Sequence, residues 1–193
     1  MKKILLIIFT IILILSVNVL AVDIDVGSPA ITRDVRIDVG ETYILKENPA
    51  NADGKITSVE IYTGTAMSGC IIATFYVVTG NVLSARDSQY IGNVPGYSKQ
   101  TLPVDIEIKA GDYIGLYFSG GKVESSESGF AGLWHKPGDQ TSSSDVGYSV
   151  SAGDTISLYG IGETVVVGWD HKWNTKNISK WNTKEIVKWN GLE

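Results

Sequence analysis

The sequence predicts an all-β, antiparallel protein, and three observations lead to this fold class. Runs of alternating apolar and polar residues recur along the chain. Gly is abundant, at 21 residues, whereas Pro is scarce, at 5. No segment has a convincing helical pattern. We expect roughly eight to ten short strands, and a two-sheet antiparallel sandwich of jelly-roll type fits them best.

The clearest alternating stretch is residues 104–118, where two runs are joined by Gly111-Asp112. In the first run apolar and charged residues fall on opposite faces, as in a half-buried strand. In the second run Ile114, Leu116 and Phe118 alternate with residues that include Tyr113 and Tyr117. Residues 146–159 repeat this unit with Gly153-Asp154 at the turn, and residues 35–43 are a looser echo. Turn chemistry explains the Gly-Asp pairs. The functional alternative is a metal or ligand site at the edge of the sandwich.

The first half of the body divides into strands and turn-rich loops. Residues 33–45 are predicted to be the first clear strand, and the turn formers of residues 48–54 predict a loop. Residues 55–62 alternate as a strand with Val59 and Ile61 as candidate core residues. Residues 64–69 are read as another loop.

The almost unbroken apolar run at residues 70–78 predicts a central strand that is buried on both faces. Residues 81–91 are its expected hairpin partner, with Arg86-Asp87 as a surface pair. Residues 92–103 and the Gly/Ser-rich residues 119–129 are predicted loops. Further short strands are expected at 130–135 and 164–168.

The N-terminus has the pattern of a secretory signal. Two lysines precede a long apolar run, and small residues follow near Ala21. We expect cleavage after Ala21, which divides the chain into a signal peptide at 1–21, a β-sandwich domain at 22–168 and a repeat tail at 169–193. The uncharged run 4–22 is also long enough for an uncleaved anchor. The body is therefore expected to be secreted, and a membrane is a partner only if the signal is uncleaved.

Charge and cysteine content narrow the partners further. Residues 22–169 carry 9 basic and 18 acidic residues, a net charge of −9, whereas residues 170–193 carry 5 and 3, a net charge of +2. An acidic body repels phosphate, which argues against a nucleic acid partner.

The single cysteine, Cys70, excludes an intrachain disulfide. Its apolar neighbours predict a buried thiol, and intermolecular pairing is the alternative.

The tail repeats every eight residues, with Lys-Trp-Asn at the start of each copy. On a helix the repeat would drift by ~80° per copy, whereas on an extended chain Trp173, Trp181 and Trp189 share one face. These side chains are candidate docking anchors, on the body or on a neighbouring subunit in a homo-oligomer. Sugar recognition is a second interpretation, and cover for the edge of the sandwich is a third.

Catalysis is not expected. His135 and His171 lack the spacing of metal ligands, and no Gly-x-Ser-x-Gly elbow is present. The same-face carboxylates Asp105 and Glu107 are typical of a solvated strand face. We therefore assign no catalytic residue, no metal ligand and no cofactor.

Two stretches carry a resemblance to known proteins. Val-x-Ile-x-Ile-Lys-Ala-Gly-Asp-Tyr-Ile-Gly-Leu-Tyr, at 104–117, resembles the edges of jelly-roll binding domains in viral and secreted surface proteins. The Lys-Trp-Asn-Thr-Lys tandem that ends in Trp-Asn-Gly looks like the short tandem tails of phage-type or environmental structural proteins, although a secretory signal departs from the phage pattern. The resemblance implies adhesion or assembly and transfers no site to a named residue.

These observations predict a secreted, non-catalytic binding module that recognises carbohydrate or another surface ligand. Trp134, Tyr97 and Tyr148 are its candidate ligand-binding residues, because we expect their rings to be exposed beside Gly/Ser loops. The alternative function is a structural subunit of an extracellular fibre or surface assembly, joined through the tail. The expected partner is accordingly a surface glycan or another protein subunit.

Overall fold

A computed structural model describes residues 22–164 and is all-β, with every strand pairing antiparallel. The predicted signal peptide, most of the strand at 164–168 and the repeat tail lie outside these residues. No helix in the described part is long and apolar enough to cross a membrane. The strands are β1 (Asp23–Ser28), β2 (Val35–Ile37), β3 (Glu41–Leu45), β4 (Gly54–Thr79), β5 (Val82–Val94), β6 (Lys99–Ile108), β7 (Tyr113–Tyr117), β8 (Gly120–Ser126), β9 (Leu133–Pro137), β10 (Val146–Gly147), β11 (Ser149–Ser151), β12 (Thr155–Ile156) and β13 (Leu158–Glu163).

The long strand β4 connects the sheet because its two ends pair with different neighbours. Residues 54–62 pair with β13 and β6, whereas residues 67–79 pair with β5 and residues 71–75 also pair with β7. Between them, β8 pairs with residues 63–68. The main path is the open order β1-β13-β4-β7-β3-β9-β11. We call β1, β13, β6 and the start of β4 the first group, and β5, β7, β3, β9, β11 and the end of β4 the second group.

The all-β class and the antiparallel pairing are confirmed, and the hairpin partner of residues 70–78 is β5. The predicted loop at 64–69 is wrong, because this Gly-containing segment keeps its pairing with β8 through register shifts and leaves β4 continuous. The predicted loop at 119–129 is also wrong over β8, whose last residues are buried. Burial and pairing there outweigh the loop-like composition. The predicted loop at 92–103 shrinks to residues 95–98.

A large buried cluster takes apolar side chains from both groups of strands. Val59 and Ile61, the predicted core residues, are fully buried, and each such side chain contributes about 1.5–3 kcal/mol of transfer free energy. Cys70 is buried in the same cluster, and burial raises the pKa of its thiol to about 12, which confirms the expected buried cysteine. Other members from the first group are Ile24, Ile56, Ile106 and Leu158, and other members from the second group are Leu45, Ile72, Ile114 and Leu116.

A second, smaller cluster lies on the opposite face of the second group. Its members are Ile44, Ala73, Phe75, Leu83, Trp134 and Tyr148. Strand alternation separates the two clusters, since the neighbours of Ile44 on β3 both belong to the larger one. The predicted burial of residues 70–78 on both faces is therefore correct as far as Phe75, whereas residues 76–78 are exposed.

A buried carboxylate on β8 anchors the segment before and through β2. Glu124 is 2% exposed and accepts hydrogen bonds from Arg33 N and Arg36 Nε, both at 2.8 Å. Thr32 Oγ1 donates to the same carboxylate at 3.4 Å. Burial by itself raises the pKa of this carboxyl group, but the donors and the charge of Arg36 outweigh it and hold the Glu124 pKa below its ordinary value.

Candidate functional site

The repeated Gly turns carry the chain from one set of partner strands to another. Gly111, at φ 86°, separates β6 from β7, which pair with opposite ends of β4. Gly153, at φ 87°, separates β11, which pairs with β9, from β12 and β13, which pair with β8 and β4. This left-handed backbone region favours Gly, which has no Cβ. The two copies of the unit therefore share a structural role as well as a sequence, because at each turn the chain moves to a different set of partner strands.

The Asp residues that follow these two glycines have different roles. Asp112 is 3% exposed, and its carboxylate accepts two hydrogen bonds from Arg86 and one from Lys109 N at 2.8 Å. Three donors occupy it, so its role is structural. The interpretation of Arg86-Asp87 as a surface pair is wrong, because Arg86 reaches Asp112 and Asp87 instead accepts a hydrogen bond from Glu107 N.

The second Asp lines an open pocket of about 270 Å³. Residues of β2, β3, β9 and β11 and of the turn after β11 surround it. Its polar members are Glu41, His135, Ser151 and Asp154, and its apolar members are Ile37, Tyr43 and Leu133. The pocket therefore joins the second Gly-Asp turn to the looser echo of the unit, in which Glu41 follows Gly40.

A side-chain hydrogen bond between two strands lies in this pocket. His135 Nδ1 and Glu41 Oε2 are 2.7 Å apart, and both side chains are about 30% exposed. Pairing of β3 with β9 places Tyr43 opposite His135, which leaves Glu41 diagonal to the imidazole. When the imidazole is neutral, a proton on Nδ1 facing Glu41 leaves Nε2 as a hydrogen-bond acceptor.

Tyr43 contributes apolar surface rather than an ionisable group. It is 8% exposed, and its hydroxyl donates to the carbonyl oxygen of Asp38 at 3.2 Å. Burial, reinforced by the charges of Glu41 and Asp38, raises the pKa of Tyr43 to about 12. The phenol therefore keeps its proton at neutral pH.

The arrangement suits a ligand that has both hydroxyl groups and an apolar face. The carboxylates of Glu41 and Asp154 accept hydrogen bonds, and Ile37, Tyr43 and Leu133 offer apolar contact. Within residues 22–164, no group of three or more His, Cys, Asp or Glu side chains is placed to hold a metal ion.

Of the three predicted ligand-binding aromatics, the structure exposes Tyr97 and buries the other two. Trp134 is 5% exposed and Tyr148 is 7% exposed, so the expected exposure is wrong for both. Trp134 Nε1 donates to Asn81 Oδ1 at 2.9 Å, and the Tyr148 ring meets Phe75 edge-on at 6.4 Å. Strand alternation also turns Trp134 to the face opposite its neighbour His135, away from the pocket.

Tyr97 lies on the loop between β5 and β6 and is 70% exposed. Its backbone has a φ of 63°, and its N–H donates to Thr63 O at 3.0 Å. Thr63 Oγ1 in turn donates to Pro95 O at 2.6 Å, which fixes the loop. Tyr97 is therefore an exposed ring on a held backbone, separate from the residues that line the pocket. The predicted docking residues Trp173, Trp181 and Trp189 lie outside the described residues.

No protein-family model, curated protein or solved structure matches this chain. The assignment of a site therefore depends on geometry alone. Sequence reasoning identified Asp154 as a possible ligand residue but missed Glu41 and His135, which are 94 positions apart and meet only through β3–β9 pairing. The echo of the Gly-Asp unit at Gly40-Glu41 is the sequence signal that could have identified Glu41.

Proposed function

We propose that this protein is a non-catalytic binding module whose pocket recognises a polyhydroxylated ligand, with carbohydrate as the chemical class. The observation that carries this proposal is the placement of Glu41, His135 and Asp154 beside apolar side chains in one open pocket. Sugar hydroxyls donate to carboxylates, and the C–H face of a sugar ring packs on apolar and aromatic surface. Tyr97 supplies a second, exposed ring for an extended glycan.

Several groups that catalysis would use are held in unreactive states, which supports binding over catalysis. The Cys70 thiol and the Tyr43 phenol both have a pKa raised to about 12 by burial, so neither is an effective nucleophile or base. The Asp112 carboxylate is occupied by three donors. Of these three residues only Tyr43 lines the pocket, where it offers apolar contact and neither an acid nor a base at neutral pH.

We further propose that β4 folds the open sheet over itself into a two-sheet, jelly-roll-like sandwich. In support, side chains of the two groups meet in the large buried cluster. At Gly160 on β13, an added Cβ would lie 3.0 Å from Ile114 Cδ1 on β7 and 2.8 Å from Val26 Cγ1 on β1. Methyl–methyl NOEs between Ile114 and Val26 would check this packing.

The expected location is extracellular, on the strength of the signal-like residues 1–21. An uncleaved anchor is the alternative, and N-terminal sequencing of the exported protein distinguishes the two. Cleavage after Ala21 would produce a chain that begins at Val22.

A glycan array tests the proposed function directly. The chain 22–193 should bind a defined subset of glycans, and Asp154→Asn or Glu41→Gln should weaken that binding about tenfold or more, because each removes a charged acceptor. Asp105→Asn is the matched control, since Asp105 is an exposed carboxylate on β6 in the first group. Absence of binding to any glycan, or equal binding by all variants, would reject the proposal.

The alternative function is a structural subunit joined through the tail, and the strand edges favour the tail as the joining element. Asn51 Oδ1 and Nδ2 bond to the open side of β1, at Asp25 N and Asp23 O. Gln89 and Asp87 likewise accept hydrogen bonds from N–H groups of β6. Such caps disfavour polymerisation through these strands.

The mass in solution of chain 22–193 beside chain 22–168 tests this alternative. Assembly of the longer chain alone would support a joining tail. If both chains stay monomeric at high concentration, the tail does not join subunits.

A further inference from the structure

The outer face of the first group of strands is left without a covering element by the described residues. Alternation along each of these strands buries side chains such as Ile24 on β1 and Ile56 on β4, and it turns the residues next to them outward. We call this surface the carboxylate face, after its acidic members Asp23, Asp25, Glu60, Asp105, Glu107 and Glu163. Two of them pair with Lys55 and Lys99, at 2.7 and 2.8 Å.

One corner of the carboxylate face keeps its negative charge. Asp23 on β1 and Glu163 on β13 are direct cross-strand partners, and like charges in that position repel. Glu107 lies on the far side of β4 in the same row, and the β4 residue between Glu163 and Glu107 is Lys55, whose ammonium group is already paired with Asp105. Among the ion pairs of residues 22–164, none includes Asp23, Glu163 or Glu107. A cation from elsewhere would relieve this repulsion.

The C-terminal tail begins at the same corner. Thr164 N donates to Val22 O at 3.1 Å, and Val22 N donates to Thr164 Oγ1 at 3.0 Å, so the chain leaves the sheet beside Asp23 and Glu163. A further 29 residues follow Thr164. At up to ~3.3 Å per extended residue they are long enough to reach every strand of this face.

We propose that residues 172–188 of the tail dock on the carboxylate face of their own chain. This segment carries five lysines and one acidic residue, opposite in sign to the face. In an extended segment the lysines share one side with Ile178 and Ile186. The carboxylate face has a matching apolar part at Tyr159 and Ile161, of which Ile161 is 38% exposed. Lysines then meet carboxylates while the isoleucines meet this apolar part.

This docking has a consequence for the tail tryptophans. Trp173, Trp181 and Trp189 alternate with the lysines, so a segment bound through its lysine side presents the three indoles outward in a row. The body would thus hold the repeat in position for a ligand or a partner subunit. The proposal is independent of the pocket and stands or falls separately from it.

Carbodiimide coupling tests the proposal, because it joins a lysine amine to a carboxylate with no spacer between them. Applied to chain 22–193, and followed by mass spectrometry of the monomer fraction, it should link the tail lysines to Asp23, Glu107 or Glu163. The links should fall severalfold in the double variant Asp23→Asn/Glu163→Gln. They should also fall at about 0.5 M salt, which screens exposed charges.

The double variant Asp34→Asn/Glu127→Gln is the matched control, since both carboxylates are exposed and lie away from the carboxylate face. It should leave the links unchanged. Links found only in a dimer fraction would overturn the proposal in favour of a second copy as the occupant. Links spread evenly over all exposed carboxylates would also overturn the proposal. So would the absence of any links, if chain 22–193 instead floated with anionic vesicles and chain 22–168 did not.

Discussion

The two Gly-Asp turns provide an internal comparison in which the same residue at the same turn position has two different surroundings. Asp112→Ala removes the partner of Arg86, whose side chain is 21% exposed, and the acceptor of Lys109 N. Loss of one member of a buried ion pair costs about 3–5 kcal/mol. Because Arg86 regains some water, we expect a loss of about 3 kcal/mol, at the lower end of that range. The corresponding fall in Tm is about 10 °C for a domain of this size.

Asp154→Ala is the matched variant, because Asp154 follows Gly153 as Asp112 follows Gly111. No hydrogen bond to its carboxylate is present within residues 22–164, so its replacement should cost about 0.5 kcal/mol or less. Urea denaturation of both variants measures the two losses side by side. Equal losses would refute the reasoning, since turn chemistry common to both units would then outweigh the buried ion pair. The ligand affinity should respond in the opposite order, with Asp154→Ala the more damaging.

Three further predictions concern packing, acid stability and burial. Gly115→Ala should cost about 1–3 kcal/mol in urea denaturation, because its new Cβ would lie 2.7 Å from Phe75 Cε2, whereas Gly147→Ala, which meets nothing within 4 Å, should be near neutral. Because the pKa of Glu124 is lowered in the folded state, its carboxylate contributes stability that is present above the ordinary pKa of 4.5 and is lost as the pH falls through the folded-state pKa. Glu124→Gln should therefore reduce the free energy of unfolding at neutral pH, and the variant should lose less of that free energy than the parent chain below pH 4.5. Trp134 is the one tryptophan of chain 22–168, so tryptophan emission from that chain should be blue-shifted and protected from acrylamide; strong quenching would contradict its burial.

Local patterning was sufficient for the fold class and for several strands. Period-two alternation identified residues 55–62 and 104–118, and the apolar run at 70–78 identified the strand that enters both buried clusters. The continuity of β4 through residues 64–69 could not be read locally. It depends on pairing with β8, and that segment is itself polar and Gly-rich.

The candidate site was predictable only in part, for a related reason. Asp154 belongs to a repeated turn that sequence comparison within the chain can find. Glu41 and His135 become neighbours through strand pairing across 94 positions, which no local pattern encodes. The exposure of Trp134 was predicted wrongly because alternation places Trp134 and His135 on opposite faces of β9 without indicating which face is covered. Residues 143–148 cover the Trp134 side, and they are held there by hydrogen bonds to Asn81 and Ala85, which are distant in sequence.

The central claim is that the pocket, rather than another surface, holds the ligand. Amide chemical-shift mapping of chain 22–193 during titration with the strongest glycan from the array tests this most directly. We predict that the largest shifts belong to Glu41, His135 and Asp154, with smaller ones at residues 95–98. Shifts confined to residues 95–98 or to the tail, with the pocket amides unmoved, would contradict the account.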